Sequence, residues 1–257
     1  KNCIKKRYSC RIVEPDENLS KNIDRFSPHV VFNALHGRFG EDGFIQAFLE
    51  SKGIRYTHSG ILSSMIAMDK EISKKLFIKN KILTPKFLKI KTDFDKKKII
   101  KLLKKKIGFP VVIKPINEGS SLGVYICNER NTINNLKKLR DYDEILVEKF
   151  IPGREIQVAI LGKKKLGAIE LRPKRKFYDY EAKYNSKAKT KHIIPIDIKP
   201  KEYRNVMNLA LKAHKVLKCR GITRSDFKFH KGKFYLLETN TQPGMTNLSL
   251  VPEIALY

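Results

Sequence analysis

Arg224-Ser-Asp226-Phe-Lys-Phe-His-Lys-Gly232-Lys-Phe-Tyr-Leu-Leu-Glu238-Thr-Asn240 is an alternating run folded about a glycine. It reads as a β-hairpin turning at residues 230–233. With Gly232 as the centre, Asp226 falls opposite Glu238 and Arg224 opposite Asn240. Side chains alternate across a strand, so these four share one face. The other face then carries Phe227, Phe229, Tyr235 and Leu237 as a core-facing set. Two carboxylates and an amide beside a guanidinium suit Mg²⁺ bridging phosphate oxygens, because that ion takes oxygen ligands and few from the protein. An ordinary solvated strand face could be built from the same residues, and the hairpin alone leaves both readings open.

The next segment, Thr239-Asn-Thr-Gln242-Pro-Gly244-Met-Thr246, forms a turn, and Ser249-Leu250-Val-Pro252 opens another element. A Pro-Gly turn directly after candidate metal ligands brings backbone N–H groups to where an oxyanion could form. This whole run, through Glu-Thr-Asn-Thr-Gln-Pro-Gly-Met-Thr and Ser-Leu-Val-Pro, resembles the D-alanine–D-alanine ligases of the ATP-grasp superfamily. The resemblance extends over nearly all of the chain. It implies a mixed α/β ATP-grasp fold behind an N-terminal Rossmann-like domain with a parallel sheet.

Outward from the hairpin, 257 residues with 41% hydrophobic content suffice for a large core and one to three domains. No apolar run approaches the ~18 residues of a membrane span, and no secretory signal is visible. Cys3, Cys10, Cys127 and Cys219 are scattered without metal or redox spacing, which suits a reducing, cytoplasmic setting. The net charge of +28 raises the question of nucleic acid. Its lysines, however, are spread over nearly every segment, with small clusters at 96–98, 104–106 and 163–165, and no nucleic-acid module accompanies them. Weak attraction to polyanions follows, with consequences for solubility rather than function.

Along the chain, residues 28–36 read as a buried strand, 37–43 as a Gly-rich loop with Asp42 as helix N-cap, and Gly53 as a helix end. Strand, loop and helix in that order suit a parallel sheet with ligands at its carboxyl edge. A helical stretch carries Met65, Ile66, Asp69 and Lys70, residues 94–107 form a basic amphipathic helix, and strands lie at 109–114, 124–127 and 145–150. Pro152-Gly153 marks a boundary before several strands, a long polar loop at 172–193 and a helix near 201–218. Three units result: 1–62, an incomplete Rossmann-like domain; 63–152, a central ATP-grasp subdomain; and 153–257, a C-terminal subdomain with the metal and substrate sites.

Lys114 ends the strand Val-Val-Ile-Lys-Pro ahead of Gly119-Ser-Ser-Leu-Gly123, where backbone N–H groups and hydroxyls can fold over a triphosphate. By resemblance, Lys70 and Lys114 contact ATP phosphates and Ser120 sits in the active-site lid. Leu146-Val-Glu-Lys-Phe-Ile151 with Arg154-Glu155 looks like the family's nucleotide edge. It implies Glu148 and the Ile151 backbone at the adenine, Phe150 packed on it and Glu155 at the ribose hydroxyls. The Tyr-rich loop at 177–184 is longer and more aromatic than exposure alone favours. The family uses it as a lid, which implies that Lys183 reaches the nucleotide and that Tyr184 hydrogen-bonds Ser120, as in D-alanine-selective ligases. His36, with Glu41 in the next turn, looks like the Leu-His-Gly and Gly-Glu-Asp-Gly loop that orients substrates.

The implied chemistry has two steps. The carboxylate of one D-alanine attacks the γ-phosphate of ATP, giving an acyl phosphate and ADP; the amine of a second D-alanine then displaces phosphate. Asp226, Glu238 and Asn240 are implied to hold two Mg²⁺, with Mn²⁺ able to substitute. Arg224 and the Gly244 N–H take developing charge, while Ser249 and the Leu250 backbone bind the second substrate's carboxylate. The product serves peptidoglycan synthesis, and the family usually forms homodimers. Relative to the family, the chain lacks an opening strand, a glycine-rich turn and the acidic residue for the first ammonium, and it ends before a closing helix, as expected of a fragment. Leu248 replaces a commonly polar residue. A D-lactate or D-serine ligase and a non-catalytic, polyanion-binding homologue are the alternatives.

Overall fold

The computed structural model describes residues 7–92, 95–119, 122–172 and 190–257. Its first unit contains α1 (Leu19–Phe26), β1 (Val30–Val31), α2 (Phe44–Ser51) and β2 (Arg55–Tyr56), with β1 and β2 paired in parallel. The strand expected over 28–36 is therefore only two residues long, and Val30 is exposed rather than buried. Asn33 accounts for the difference. Its side-chain carbonyl accepts from the Leu35 N–H at 3.0 Å, a local turn that takes the chain out of the ladder. Asp42 does serve the start of α2, accepting from the Phe44 N–H at 3.1 Å and the Phe39 N–H at 2.8 Å.

The helical stretch expected through Met65 and Lys70 is two helices, α3 (Ile61–Met68) and α4 (Lys70–Lys79). Asp69 between them is extended, and its carboxylate caps α4 by accepting from the Ile72 N–H at 2.8 Å. Next come β3 (Phe87–Lys91), α5 (Lys96–Lys106), β4 (Val111–Pro115), β5 (Tyr125–Cys127), α6 (Thr132–Lys137) and β6 (Glu144–Lys149). The four strands form an antiparallel sheet in the order β3-β6-β4-β5. The basic helix α5 buries Ile99 and Leu103 against that sheet and leaves its lysines exposed.

The last unit holds β7 (Arg154–Leu161), β8 (Lys164–Arg172), β9 (Lys191–Ile193), α7 (Pro200–Val216), β10 (Ile222–His230), β11 (Lys233–Asn240) and α8 (Leu250–Leu256). Its antiparallel sheet runs β11-β10-β7-β8-β9, so the end of the loop expected at 172–193 is in fact an edge strand. One face packs on α7 and takes in Phe77 and Ile82 from the preceding unit; α8 covers part of the other through Leu250, Val251 and Ile254. Gly153 is required at the start of β7, where a Cβ would stand 2.3 Å from the Phe229 carbonyl oxygen. Among the described residues, no helix is long and apolar enough to cross a membrane.

The hairpin of β10 and β11 turns through Lys231 and Gly232, both at positive φ, with His230 opposite Lys233. Asp226 faces Glu238 and Arg224 faces Asn240, as the mirror about Gly232 requires. The core face is nevertheless not the one expected. Phe227 pairs with Leu236, so Leu237 is an extra residue in a β-bulge, and the alternation shifts by one between the bulge and the turn. Phe234 and Leu236 enter the core with Phe227 and Phe229, while Leu237 lines the cleft instead.

Candidate active site

The cleft lies between the two antiparallel sheets. At one end, Lys114, Glu148 and Phe150 face Glu155, Asp226 and Lys228. Strand β4 presents Lys114 and its neighbour β6 presents Glu148, and their side chains meet with Lys114 Nζ 2.7 Å from Glu148 Oε1. A third buried charge completes the group. Lys74, from the second turn of α4, places Nζ 2.8 Å from Glu148 Oε2 and donates to the Thr84 hydroxyl at 2.7 Å. Burial pushes the Lys74 ammonium down to a pKa of about 8, against the pull of Glu148. Burial also opposes the charged forms of Lys114 and Glu148, but for these two the opposite charges win: Lys114 is raised and Glu148 lowered from their ordinary values. The Glu148 carboxylate, implied by resemblance to meet the adenine, is thus already engaged by two lysines.

Lys70, one turn before Lys74, points into the same cleft and donates to the Ile116 carbonyl at 3.2 Å and to that of Glu118. Burial lowers its pKa, and the Glu238 carboxylate partly offsets this. Glu155 forms an ion pair with Lys228 at 2.9 Å. Ile151 and Leu237 supply apolar wall.

Toward the other end the cleft continues past Lys70 and Glu238 to His36, Arg224, Asn240, Gly244 and Ser249. Arg224 grips Asp226 with a two-pronged contact, Nε at 2.8 Å from one oxygen and Nη2 at 2.9 Å from the other. Asp226, Glu238 and Asn240 present two carboxylates and an amide oxygen on one face. A hard divalent cation completed by phosphate oxygens fits such a set, since Mg²⁺ is held by one or two carboxylates plus substrate. Among the described residues no group of three His, Cys, Asp or Glu side chains offers a competing site.

Gly244 and Ser249 are in contact: a Cβ on Gly244 would stand 2.6 Å from Ser249 Oγ. Ser249 Oγ accepts from the Thr246 N–H at 3.0 Å, which folds the turn onto the start of α8 at Leu250. His36 Nδ1 lies 3.8 Å from Glu41 Oε1, and the nearby carboxylate raises the imidazole pKa against partial burial. Gly119 approaches the same carboxylate, so the end of the segment after β4 meets the 36–43 loop. Ser120, Lys183 and Tyr184 lie outside the described residues; the other anticipated residues share this one cleft.

Sequence reasoning missed Lys74, Lys228 and Leu237. Lys74 stands one helical turn after Lys70, and Lys228 two residues after Asp226 on the same strand face, so spacing could have found both. Leu237 left no signal, because a bulge has no fixed residue signature when its positions are not glycine.

Two antiparallel sheets closing on a lysine- and carboxylate-lined cleft constitute the ATP-grasp fold. A family model described as D-ala D-ala ligase C-terminus matches residues 77–256. A D-alanine–D-alanine ligase from Pelagibacter ubique (strain HTCC1062) is 66% identical over 257 residues, covering 100% of this chain and 84% of that protein. Among solved structures, the D-alanine–D-alanine ligase from Bacillus anthracis complexed with ATP superposes with a TM-score of 0.82 at 32% identity, covering 98% of this chain and 81% of that one. A D-Ala:D-Ser ligase from Enterococcus faecalis gives 0.78 at 30% identity, over 89% and 68%. The chain belongs to the D-alanine–D-alanine ligase family.

Proposed function

We propose that this chain joins two D-alanines to D-alanyl-D-alanine at the expense of ATP, through an acyl phosphate. The observation that carries this is the register of the hairpin: Asp226 with Glu238 and Arg224 with Asn240 on one face, opposite Lys70 and Lys114 and adjoining Gly244 and Ser249. Lys70 and Lys114 bind the phosphates of ATP, and Ile151, Phe150 and Leu237 enclose its base. Asp226, Glu238 and Asn240 would hold Mg²⁺, or Mn²⁺, which supplies charge neutralisation at the phosphates.

Arg224 sits where the transferring phosphoryl group and the later oxyanion carry negative charge, and the Gly244 N–H assists it. Ser249 and the Leu250 N–H receive the carboxylate of the second D-alanine. His36, held by Glu41, orients the substrates. Charge placement and positioning supply most of the acceleration in such phosphoryl transfers. The 66% identity to a D-alanine–D-alanine ligase, against 30% to the D-Ala:D-Ser enzyme, supports D-alanine in the second site.

The test is phosphate release from ATP with D-alanine alone, with D-alanine plus D-lactate and with D-alanine plus D-serine, products being identified by mass. Dipeptide from D-alanine alone is the expected result. A mixed product formed in preference would overturn the substrate assignment, and ATP binding without any ligation would overturn the activity.

A further inference from the structure

Gln242 is 2% exposed and Asn33 3%, and 209 residues of chain separate them. Their side chains nonetheless interlock. Asn33 Nδ2 donates to Gln242 Oε1 at 3.4 Å, and Gln242 Nε2 donates back to the Asn33 carbonyl. Each partner is also tied into its own loop. Asn33 Nδ2 reaches the Gly40 carbonyl at 3.0 Å, and Gln46 Nε2 meets that same carbonyl at 2.8 Å, so the tip of the 36–43 loop is fixed from two sides. On the other side, the Gln242 N–H donates to Asn240 Oδ1 at 2.7 Å, and its backbone carbonyl faces the His36 imidazole and favours its charged form.

We propose that Asn33 and Gln242 form a clasp between the first and last units, in which Gln242 is a positioning residue holding the His36–Glu41 loop against the Asn240–Gly244 turn. The placement is the reason. Gln242 lies between the metal-face amide and the oxyanion turn in sequence, and its side chain reaches into the segment that carries His36. The backbone of Gln242 meets Asn240 and faces His36, so its side-chain amide pins to Asn33 a segment that touches both. Losing one partner strands a buried donor and acceptor, which loosens both loops at once. A displacement of ~1 Å in such groups can lower a rate by about 10²-fold.

This inference rests on the ligase activity, so its test has one arm that does not. Hydrogen exchange is compared in the parent chain, Gln242→Leu, the milder Gln242→Ala, Asn33→Leu and the double Leu variant. The expected result is reciprocal: changing Gln242 speeds exchange in residues 34–43, and changing Asn33 speeds it in 240–246. In the ligation assay each single variant should lose about tenfold or more in kcat/KM for D-alanine. The double variant should be no worse than the worse single one, with ATP affinity unchanged throughout. Exchange confined to the mutated loop would overturn the clasp. Reciprocal loosening with D-alanine kinetics within twofold of the parent would overturn the positioning role. A parent chain that makes no dipeptide would refute the activity while exchange still decided the clasp.

Discussion

Replacing Lys74 with Met tests how the buried charges serve the nucleotide end of the cleft. Two effects oppose each other. Removing one partner of a buried ion pair costs about 3–5 kcal/mol when it leaves a charge uncompensated. Here Glu148 keeps Lys114 at 2.7 Å, so the cost falls at or below the bottom of that range. Against it stands the burial of the Lys74 ammonium, whose pKa of about 8 instead of 10.5 corresponds to about 3 kcal/mol disfavouring the charged form. Met fills similar volume without that cost. The net loss of stability should therefore be small, on the order of 1 kcal/mol, or about 2–4 °C in melting temperature for a chain of this size.

The functional cost should be larger. With Lys74 gone, the whole Glu148 carboxylate bears on Lys114, whose ammonium is then less available to phosphate; the KM for ATP should rise about tenfold, a loss of ~1.4 kcal/mol, with the KM for D-alanine unmoved. Glu148→Gln should behave oppositely. It leaves two buried ammoniums side by side and should destabilise by about 3–5 kcal/mol. The sign of the pH dependence follows as well. Between about 8 and 10.5 the unfolded chain holds the Lys74 proton and the folded one does not, so stability rises with pH across that window. The parent should gain over Lys74→Met from pH 8 to pH 10. Thermal melts across pH, with ADP-release kinetics, decide the matter. A Lys74→Met protein that melts as low as Glu148→Gln and keeps the parent's KM for ATP would refute the reasoning.

Arg224→Ala should lower kcat by about 10²–10³-fold, the usual cost of one oxyanion or phosphoryl donor; turnover within twofold of the parent would remove that role. The bulge gives adjacent leucines opposite fates. Leu236→Asp, in the core, should abolish folding, whereas Leu237→Asp should leave a folded protein with weakened ATP binding; circular dichroism and nucleotide titration separate the two. The raised pKa of His36 means its ion pair with Glu41 contributes stability that is present below pH 6.5 and lost as pH rises through the shifted value. The melting difference between the parent and Glu41→Gln should accordingly shrink from pH 5.5 to pH 8.5. A constant difference would mean that the imidazole does not charge against Glu41.

Local chemistry made much of this fold legible. The mirror about Gly232 placed Asp226 opposite Glu238 because the Leu237 bulge adds the one residue by which the turn, centred between Lys231 and Gly232, falls short of that mirror, and the Asp42 and Gly53 helix signals are contacts within a few residues of their own position. What escaped depended on tertiary partners. Asp69 sits mid-pattern in an apparently continuous helix, yet its carboxylate has more to gain from capping α4 than from a helical backbone, so the chain breaks there. Residues 28–36 are apolar enough for a strand, but Asn33 competes for the backbone and then spends its amide on Gln242.

The bulge shows why these failures gather at the site. An unbroken hairpin with this turn would pair Asp226 with Leu237 and turn Glu238 to the core side. Inserting Leu237 as an unpaired residue restores Glu238 to the face of Asp226 while Phe234 and Leu236 keep the core filled. With Leu237 in the strand, regular alternation would have satisfied packing or placed both carboxylates, but not both together. The irregularity reconciles them, and the residue it adds becomes part of the cleft wall. Deleting Leu237 tests this from the other side. The deletion closes the bulge and still leaves Phe227 opposite Leu236 and Asp226 opposite Glu238, so the variant should fold and keep both carboxylates on the cleft face while losing the apolar wall that Leu237 supplies, with ATP affinity in Mg²⁺ weakened. An unfolded deletion variant, or a folded one with parental ATP affinity, would refute this account of the bulge.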